Sequence, residues 1–425
     1  MSPSDTASER SPLLDGDNNK DNNSRTRSRE VLNGVLTLLF IGFLVGFLTL
    51  WNGSLSKDPH KAAVAILSKA PVIDGHIDLP ILVRHGFRNN VTAVDLRRPT
   101  PGHLDIPRLR TGKLGGFFWS VYVSCADDGE DFLVPTNRVR DSLEQIDVAK
   151  GLIEQHGDVF QLTTDTRTLR SVISRGKVAS MLGAEGGHQL GNSLSSLRMF
   201  YDLGVRYMTL THSCHNAFAD SAGILTSPEP KHGGLSPLGR TLIQEMNRLG
   251  MLVDLSHTSD ETAIQAIELS KAPVMWSHSS ARSVWNVPRN VPDNILKMIG
   301  LKEGQKDGVI MVNFAPQFVA ADGNATLYAV ADHVDHIGNV AGRDHVGLGS
   351  DFDGIGTVPE GLEDVSKYPD LFAELRKRGW SRRNLAGLAG GNFVRVWEGV
   401  ERVSKQLKDE GAVAAYDIYD KRTDL

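Results

Sequence analysis

The stretch Pro71-Val-Ile-Asp-Gly-His-Ile-Asp78 places a short apolar run directly before His76 and Asp78, two side chains that can bind metals or transfer protons. The same arrangement recurs along the chain, with a chemically active residue just past the end of each apolar run. The other residues in such positions are Glu185, His212, His257, His278 and Asp351. Each run is rich in Val, Leu, Ile and Met and is bounded by Gly or Pro, which is typical of a short buried parallel strand.

Two further apolar runs of strand length, 115–123 and 308–314, bring the predicted strands to eight. Amphipathic stretches separate most pairs of strands. Residues 259–270, for example, open with Ser and acidic residues and place Ala263 and Ile267 on one side of a helix. The pattern therefore predicts an α/β protein, a (β/α)8 TIM-type barrel, in which residues that follow different strands converge on one face.

The composition is that of an ordinary globular protein, with 40% hydrophobic and 23% charged residues in 425. Residues 69–410 suit one large barrel. The formal net charge is -5, so nucleic acid is not an expected partner. Residues 411–425 are expected to be a charged C-terminal tail, which does not fit a signal for a glycolipid anchor.

The first 51 residues have a different character from the barrel. Residues 1–30 are polar and lack aromatic residues, so we expect a disordered cytosolic tail. Residues 31–51 contain no charge and end in a tryptophan, which predicts a transmembrane helix; a cleaved signal peptide is the alternative, but the run is long and begins late. Three arginines precede this run, so the barrel is expected to be lumenal or extracellular, joined to the helix by a linker at 52–68.

A sorting signal is a further hypothesis for the predicted cytosolic tail. Glu9 is followed four and five residues later by Leu13 and Leu14, the spacing of an acidic dileucine motif. An extended tail can offer two apolar side chains and one carboxylate to the groove of a sorting adaptor. This hypothesis places the protein in a vacuolar or lysosome-like membrane. Chance occurrence of the motif is the alternative, and the cell surface is then the expected location.

Two other features agree with a lumenal or extracellular barrel. Asn90-Val-Thr92 and Asn324-Ala-Thr326 have the pattern of N-glycosylation acceptors. The two cysteines, Cys125 and Cys214, follow the second and fourth predicted strands. A disulfide between them is geometrically feasible and is favoured in an oxidising compartment, whereas two reduced buried thiols are the alternative.

Five of the residues at predicted strand ends have the chemistry of metal ligands. His76 and Asp78 alternate along an extended segment, so both side chains point the same way and can hold one ion. Glu185 lies among glycines that permit a tight turn, where a carboxylate can bridge two cations. His257 and His278 offer neutral imidazoles, which suit zinc. Each residue alone could be structural, but their coincidence at strand ends favours a metal site.

Specific motifs run through most of the chain, from about residue 71 to residue 403. They are Asp74-Gly-His-Ile-Asp-Leu-Pro80, Gly116-Phe-Phe-Trp-Ser-Val-Tyr122, Glu185-Gly-Gly-His188, Leu210-Thr-His-Ser-Cys214, Ser277-His-Ser-Ser280, Arg289-Asn-Val-Pro-Asp293, Asp351-Phe-Asp-Gly354 and Pro359-Glu-Gly-Leu-Glu-Asp364. Together they resemble the motifs of the renal (membrane) dipeptidases, which are zinc-dependent peptidases with an amidohydrolase-type barrel.

The resemblance implies a site with two zinc ions. His76 and Asp78 would bind one ion, His257 and His278 the other, and Glu185 would bridge them. Two zinc ions that share a water lower its pKa far enough to give hydroxide near neutral pH.

The resemblance also implies roles for three further residues. Asp351 would transfer the proton, His212 would contact the substrate near the scissile bond, and Arg289 would hold the terminal carboxylate. From the residues alone, Asp353 competes with Asp351 for the role in proton transfer, and Arg289 could be a structural arginine like its neighbour Arg282.

The expected protein is therefore a membrane-anchored zinc dipeptidase that acts on free dipeptides. The family pairs cysteines at the positions of Cys125 and Cys214, and a homodimer is a further expectation. The alternative function is that of a related metal-dependent amidohydrolase, acting on a lactam, a Cys-Gly unit from a glutathione conjugate or a secondary metabolite. A binding protein that kept the fold without activity is a third hypothesis, and the set of matched site residues argues against it.

Overall fold

The computed structural model describes residues 31–37, 42 and 55–424. The chain divides into two units, Met1–Ser56 and Lys57–Leu425. Within the described residues, no helix combines the length and the apolar character needed to cross a bilayer. The predicted cytosolic tail, the motif at Leu13 and Leu14, and most of the predicted transmembrane helix lie outside the described residues.

Nine parallel strands form one sheet in the second unit. They are β1 (Val72–Ile77), β2 (Leu114–Ser120), β3 (Phe160–Leu162), β4 (Val178–Glu185), β5 (Val205–Thr209), β6 (Leu252–Asp254), β7 (Val274–Trp276), β8 (Gly308–Val312) and β9 (Val346–Leu348). Neighbours run in the order β2-β1-β9-β8-β7-β6-β5-β4, and β2 also pairs with β4. This last pairing closes a ring of eight strands, so the predicted (β/α)8 TIM-type barrel is confirmed.

The short strand β3 was not predicted, and it is not one of the eight strands that form the barrel. It pairs with the first residues of β4, from Val178 to Ser180, whereas β5 pairs with the later residues of β4 from Leu182 onward. The other edge of β4 is paired with β2. Strand β3 therefore lies on the same edge of β4 as β5, before the start of β5 and outside the ring. A strand of three residues is too short to leave a periodic signal in the sequence.

Helices surround the ring of strands. They are Pro59–Leu67, Leu79–Phe87, Ile106–Thr111, Arg138–Gln155, Thr166–Ser174, Leu194–Asp202, Pro237–Leu249, Asp260–Leu269, Asp293–Leu296, Pro316–Val319, Leu327–Ile337, Tyr368–Lys377, Arg382–Ala386 and Asn392–Asp409. Helix Asp260–Leu269 matches the predicted amphipathic segment. The Ser259 side chain accepts from the Thr262 N–H and so caps this helix, which buries Ala263 and Ile267.

The core packs large side chains from several strands against the last long helix. Phe118 of β2 contacts Tyr207 of β5, with ring centroids 4.7 Å apart, and meets Phe393 edge-to-face at 5.4 Å. Met181 and Met311 belong to the same buried cluster. Full burial of each such side chain contributes roughly 1.5–3 kcal/mol to folding. The cluster fixes the strands whose ends carry the chemically active residues.

Both segments that flank the predicted barrel pack onto it. The predicted linker at 52–68 contains helix Pro59–Leu67, which is capped by Asp58 and packs against helix Tyr368–Lys377. After the last helix, the predicted C-terminal tail runs back over the barrel unit. There Tyr419 is buried and the Ala415 carbonyl accepts a 2.8 Å hydrogen bond from Arg198.

His333 joins three elements of the barrel unit through its imidazole ring. It lies fully buried in helix Leu327–Ile337. Its Nδ1 accepts from the Ala281 N–H at 3.0 Å, which leaves Nε2 to donate to the Val319 carbonyl at 2.9 Å. Burial lowers the pKa of His333 to about 4, because a charged ring would lose its hydration and Nδ1 would no longer be an acceptor.

We predict that His333 makes folding stability sensitive to acid. Its folded-state pKa of about 4 lies below the usual 6.5, so the stabilisation is complete above pH 6.5 and is lost as the pH falls toward 4. Between pH of about 7.5 and about 5, this residue alone should remove about 2 kcal/mol of unfolding free energy.

The prediction is checked by urea unfolding of the full chain and of His333→Asn at both pH values. Asparagine can keep the acceptor for Ala281 but does not titrate. The variant should be less stable at neutral pH, yet lose less stability on acidification. An equal loss in both proteins would contradict the assignment.

Candidate active site

The residues predicted at strand ends all lie at the carboxyl end of the barrel. His76 lies within β1 and Asp78 directly follows it, and Glu185 is the last residue of β4. Residues His212, His257, His278 and Asp351 come two or three positions after β5, β6, β7 and β9, respectively. Because parallel strands present their carboxyl ends to the same face, residues far apart in sequence form one cluster.

Four of these side chains form two sets around a fifth, Glu185. The first ligand set is His76 and Asp78: His76 Nε2 lies 3.1 Å from Asp78 Oδ2 and 3.5 Å from Glu185 Oε2. The second ligand set is His257 and His278, whose Nε2 atoms each lie 3.2 Å from Glu185 Oε1 and 3.1 Å from each other. The two oxygens of one buried carboxylate therefore face different sets, which is the geometry of a bridging ligand.

The chemistry of these atoms fits two divalent cations. Among the described residues, His76 Nε2 and Asp78 Oδ1 are buried without a hydrogen-bond partner. Burial, together with the nearby Arg289 cation, holds the pKa of His257 well below its usual value, and burial does the same for His278. Both imidazoles are therefore neutral and offer lone pairs. Imidazole nitrogens and carboxylate oxygens at this spacing suit zinc.

Residues to which the sequence assigned no role support the ligands from behind. The Tyr207 hydroxyl lies 2.7 Å from His76 Nδ1, and the Ser277 hydroxyl lies 2.8 Å from His278 Nδ1. Gly183 makes room for Tyr207, since a Cβ at residue 183 would lie 2.0 Å from the tyrosine ring. In the sequence these are single polar groups within apolar runs, which also occur in ordinary cores.

Asp351 is held close to the ligands in a strained backbone conformation. Its φ is 65° and that of His257 is 64°, the left-handed region that costs non-glycine residues on the order of 1–3 kcal/mol. The Asp351 N–H donates to the His76 carbonyl at 3.0 Å, and Oδ2 accepts from Asn313 at 3.0 Å. Burial raises the pKa of Asp351 to about 8, and the carboxylates of Asp78 and Glu185 act in the same direction. This carboxyl group can therefore both hold and release a proton near neutral pH.

Asp353, the competing candidate, has a different environment. Its Oδ1 accepts from the His103 N–H at 2.5 Å, and its own N–H donates to His103 Nδ1 at 2.9 Å. The side chain is fully shielded from solvent. Asp353 thus fixes the loop at residues 102–103. Both aspartates line the cavity over the ligand sets, and Asp351 is the one with a carboxylate oxygen in a cluster with His76 and His278.

His212 lies over the second ligand set. Its ring centroid is 4.3 Å from that of His257 and 4.8 Å from that of Tyr122. Burial holds the pKa of His212 well below its usual value, so the ring is neutral at neutral pH.

Cys214, two residues after His212, forms a disulfide with Cys125, with Cα atoms 6.1 Å apart. This confirms the predicted pairing. The disulfide joins the ends of β2 and β5, which lie on either side of β4.

Arg289 is buried beside the second ligand set. Its guanidinium donates to the His278 carbonyl at 2.8 Å and to Ser279 Oγ at 2.6 Å, and it lies over the Phe318 ring at 5.5 Å. Burial lowers the pKa of Arg289 to about 10, which leaves it charged at neutral pH. Arg282, in contrast, makes a bidentate ion pair with Asp260 at 2.6 and 2.7 Å and is structural.

A cavity of about 400 Å³ opens over the ligand sets. Asp78, Glu185, His257 and Asp351 contribute to its lining, together with His212 and Tyr122. Ile224, Phe318 and Ile355 form apolar walls, and Gln317 adds a polar group. A volume of this order accommodates a small organic molecule.

A parallel barrel with carboxylates and neutral imidazoles clustered at its carboxyl end defines a metal-dependent hydrolase. The model of the membrane dipeptidase family, peptidase family M19, matches residues 60–411. The chain belongs to this family and is a dipeptidase that hydrolyses peptide bonds.

Individual relatives agree with this assignment. An uncharacterized dipeptidase of Schizosaccharomyces pombe is 44% identical over 401 residues, which cover 91% of this chain and 95% of the relative. Dipeptidase aclJ of Aspergillus oryzae is 43% identical over 395 residues, with 91% and 92% covered. Among solved structures, a metallopeptidase from Rhodobacter sphaeroides, liganded with a phosphinate mimic of the dipeptide L-Ala-D-Ala, is 29% identical with a TM-score of 0.69. That alignment covers 78% of this chain and 99% of the bacterial one.

We predict that Gly354→Ala abolishes most of the dipeptidase activity while the chain still folds. A Cβ at residue 354 would lie 2.3 Å from Asp78 Oδ2 and 2.8 Å from Asp351 Oδ1, so both carboxylates would have to move. Gly356→Ala is the matched control, because a Cβ there has no neighbour within 4 Å. Dipeptide hydrolysis and thermal unfolding of both variants check the prediction, and equal activity of the two would contradict it.

Proposed function

We propose that the protein hydrolyses free dipeptides with two zinc ions, one in each ligand set, bridged by Glu185. The observation that carries this proposal is the division of the two Glu185 oxygens between the sets, with Oε2 toward His76 and Oε1 toward His257 and His278. Two zinc ions bound there would supply a nucleophilic water near neutral pH and would polarise the peptide carbonyl.

Asp351 is the proposed group for proton transfer. It lines the cavity beside Asp78 and Glu185, and its raised pKa lets it accept a proton from the attacking water and return it to the leaving amine. The hydrogen bond from Asn313 to Oδ2 orients the carboxyl group and leaves Oδ1 for this transfer.

His212 is the proposed donor to the oxyanion that forms when the carbonyl is attacked. Because the ring is neutral, only one nitrogen carries a proton. Ser213 Oγ lies 3.1 Å from Nδ1 and 3.6 Å from Cys125 Sγ, and donation of its one proton to Nδ1 instead of to the sulfur would leave the ring proton on Nε2. An N–H group fixed in a buried site stabilises developing negative charge without reorganisation.

Arg289 is the proposed contact for the C-terminal carboxylate of the substrate. Two of its donors hold the loop after β7, and its Nε–H has no partner among the described residues. A buried guanidinium can bind a carboxylate strongly and in a defined orientation. Such a contact next to the ligand sets would restrict substrates to dipeptide length.

We also propose that the enzyme is a single-pass membrane protein with its barrel in an oxidising lumenal or extracellular space. The charge-free stretch 31–51 supports the anchor. The disulfide supports the compartment. Asn90 and Asn324 are exposed, as glycosylation acceptors must be. A sorting role for Leu13 and Leu14 is part of this proposal.

Metal removal and re-addition with a substrate panel tests the proposed activity. The full chain, purified in detergent and stripped with a chelator, should regain activity only as zinc approaches two ions per chain. Free dipeptides should be hydrolysed, whereas tripeptides and C-terminally amidated dipeptides should react poorly. Full activity with one zinc ion or none would overturn the two-ion proposal, and equal rates on amides would overturn the role of Arg289.

We predict that Asp351→Asn lowers kcat by about 10²-fold or more, because general acid–base transfer is typically worth that much. Zinc content and folding should stay near those of the wild type. Asp353→Asn is the matched comparison and should affect kcat less, since Asp353 bonds to the loop at residues 102–103. Steady-state kinetics and elemental analysis check both variants, and a larger kcat loss for Asp353→Asn would reverse the assignment.

A further inference from the structure

A buried carboxylate, Asp254, lies behind the second ligand set. It ends β6 and is inaccessible to solvent. Oδ1 accepts from the backbone N–H groups of Ser256 at 3.1 Å and Ser277 at 2.7 Å. Oδ2 accepts from the hydroxyls of Thr209 at 2.5 Å and Ser277 at 2.6 Å. All four of these donors are neutral. The hydrogen bonds therefore stabilise the negative charge of Asp254 without forming an ion pair.

The Ser277 hydroxyl connects Asp254 to His278. It lies 2.6 Å from Asp254 Oδ2 and 2.8 Å from His278 Nδ1. A hydroxyl has one proton to donate, and the carboxylate can only accept. Ser277 therefore donates to Asp254 and must accept from His278, which places the ring proton on Nδ1. The lone pair of His278 is then on Nε2, the atom that lies 3.2 Å from Glu185 Oε1.

The charges around the two ligand sets are unequal. The first set contains its own carboxylate, Asp78, in addition to its share of Glu185. The second set has two neutral imidazoles and only one oxygen of Glu185. The Arg289 guanidinium also lies against this set, 2.8 Å from the His278 carbonyl, and disfavours a second cation.

The histidines of the two sets also differ in what supports them. His76 Nδ1 meets the neutral phenol of Tyr207, and His257 Nδ1 is buried without a partner among the described residues. Of these three histidines, His278 is the one whose Nδ1 is connected to a carboxylate, through the Ser277 hydroxyl. A carboxylate that supports a ligating histidine fixes its tautomer and raises its basicity.

We propose that Asp254, acting through Ser277, is a positioning residue that gives the second ligand set its affinity for a divalent cation. This inference rests on the proposed two-ion function. Asp78 places a negative charge directly in the first set. Asp254 places a negative charge behind the second set and acts on it through Ser277. The alternative is that Asp254 only joins β5, β6 and the end of β7.

Three substitutions in the full chain separate these roles. Ser277→Ala breaks the connection to His278 but leaves Asp254 with both backbone donors and Thr209. Asp254→Asn removes the charge. Thr209→Val, the matched control, removes one donor to Asp254 and leaves the connection through Ser277 intact. Each metal-free protein is titrated with zinc against a chromophoric chelator, and thermal unfolding of the metal-free proteins reports any purely structural effect.

We expect Ser277→Ala and Asp254→Asn to bind the second zinc ion about 10–100-fold more weakly than the wild type, with the first ion little changed. Thr209→Val should bind both ions as the wild type does. Wild-type affinity for the second ion in Ser277→Ala would overturn the inference, as would equal weakening in Thr209→Val. If the wild type itself binds fewer than two zinc ions, the proposed two-ion function is overturned, and this inference is overturned with it. If Asp254→Asn does not fold, Ser277→Ala and Thr209→Val still decide the question.

Discussion

The pairing of β2 with β4 is the constraint on which the site depends, because it closes eight strands into a ring. Without this pairing, β2 and β4 would lie at opposite edges of the sheet, and Glu185 at the end of β4 would be far from His76, which lies on β1 next to β2. In the ring, only β2 separates β4 from β1, and Glu185 Oε2 lies 3.5 Å from His76 Nε2. The convergence of ligands is therefore a result of closure, and the buried cluster that joins strand residues to helix Asn392–Asp409 stabilises the closed ring.

The same convergence creates an electrostatic problem that a cation solves. Asp78, Glu185 and Asp351 are brought together out of water, and burial raises the pKa of both Glu185 and Asp351. Uncompensated buried charge is costly, and such clusters persist where metals or substrates provide the missing partner. The left-handed backbone at His257 and Asp351 adds a further local cost. Departures of this kind from ordinary folding rules concentrate at functional sites.

The sequence was informative where local patterns reflect global structure. Apolar runs bounded by glycine or proline located all eight strands of the ring, and the residues that follow six of these runs come together in the structure, because both features are local. The supporting groups were harder to recognise. Tyr207, Asp254 and Asn313 lie within or beside apolar runs, where a polar side chain is commonly structural, and only the distances to His76, Ser277 and Asp351 distinguish them. The choice between Asp351 and Asp353 likewise depends on His103, which is remote in sequence.

The position of the disulfide in the sequence affects the order in which the parts of the catalytic centre can be fixed during synthesis. It spans 89 residues, and a cross-link of that length restricts the unfolded chain by about 4–5 kcal/mol in the loop-entropy account. The ligands His76, Asp78 and Glu185 all precede Cys214, whereas His257 and His278 follow it. In the oxidising compartment proposed above, the segment between the two cysteines could be cross-linked once Cys214 had emerged, when His76, Asp78 and Glu185 were present and before His257 and His278 had been made.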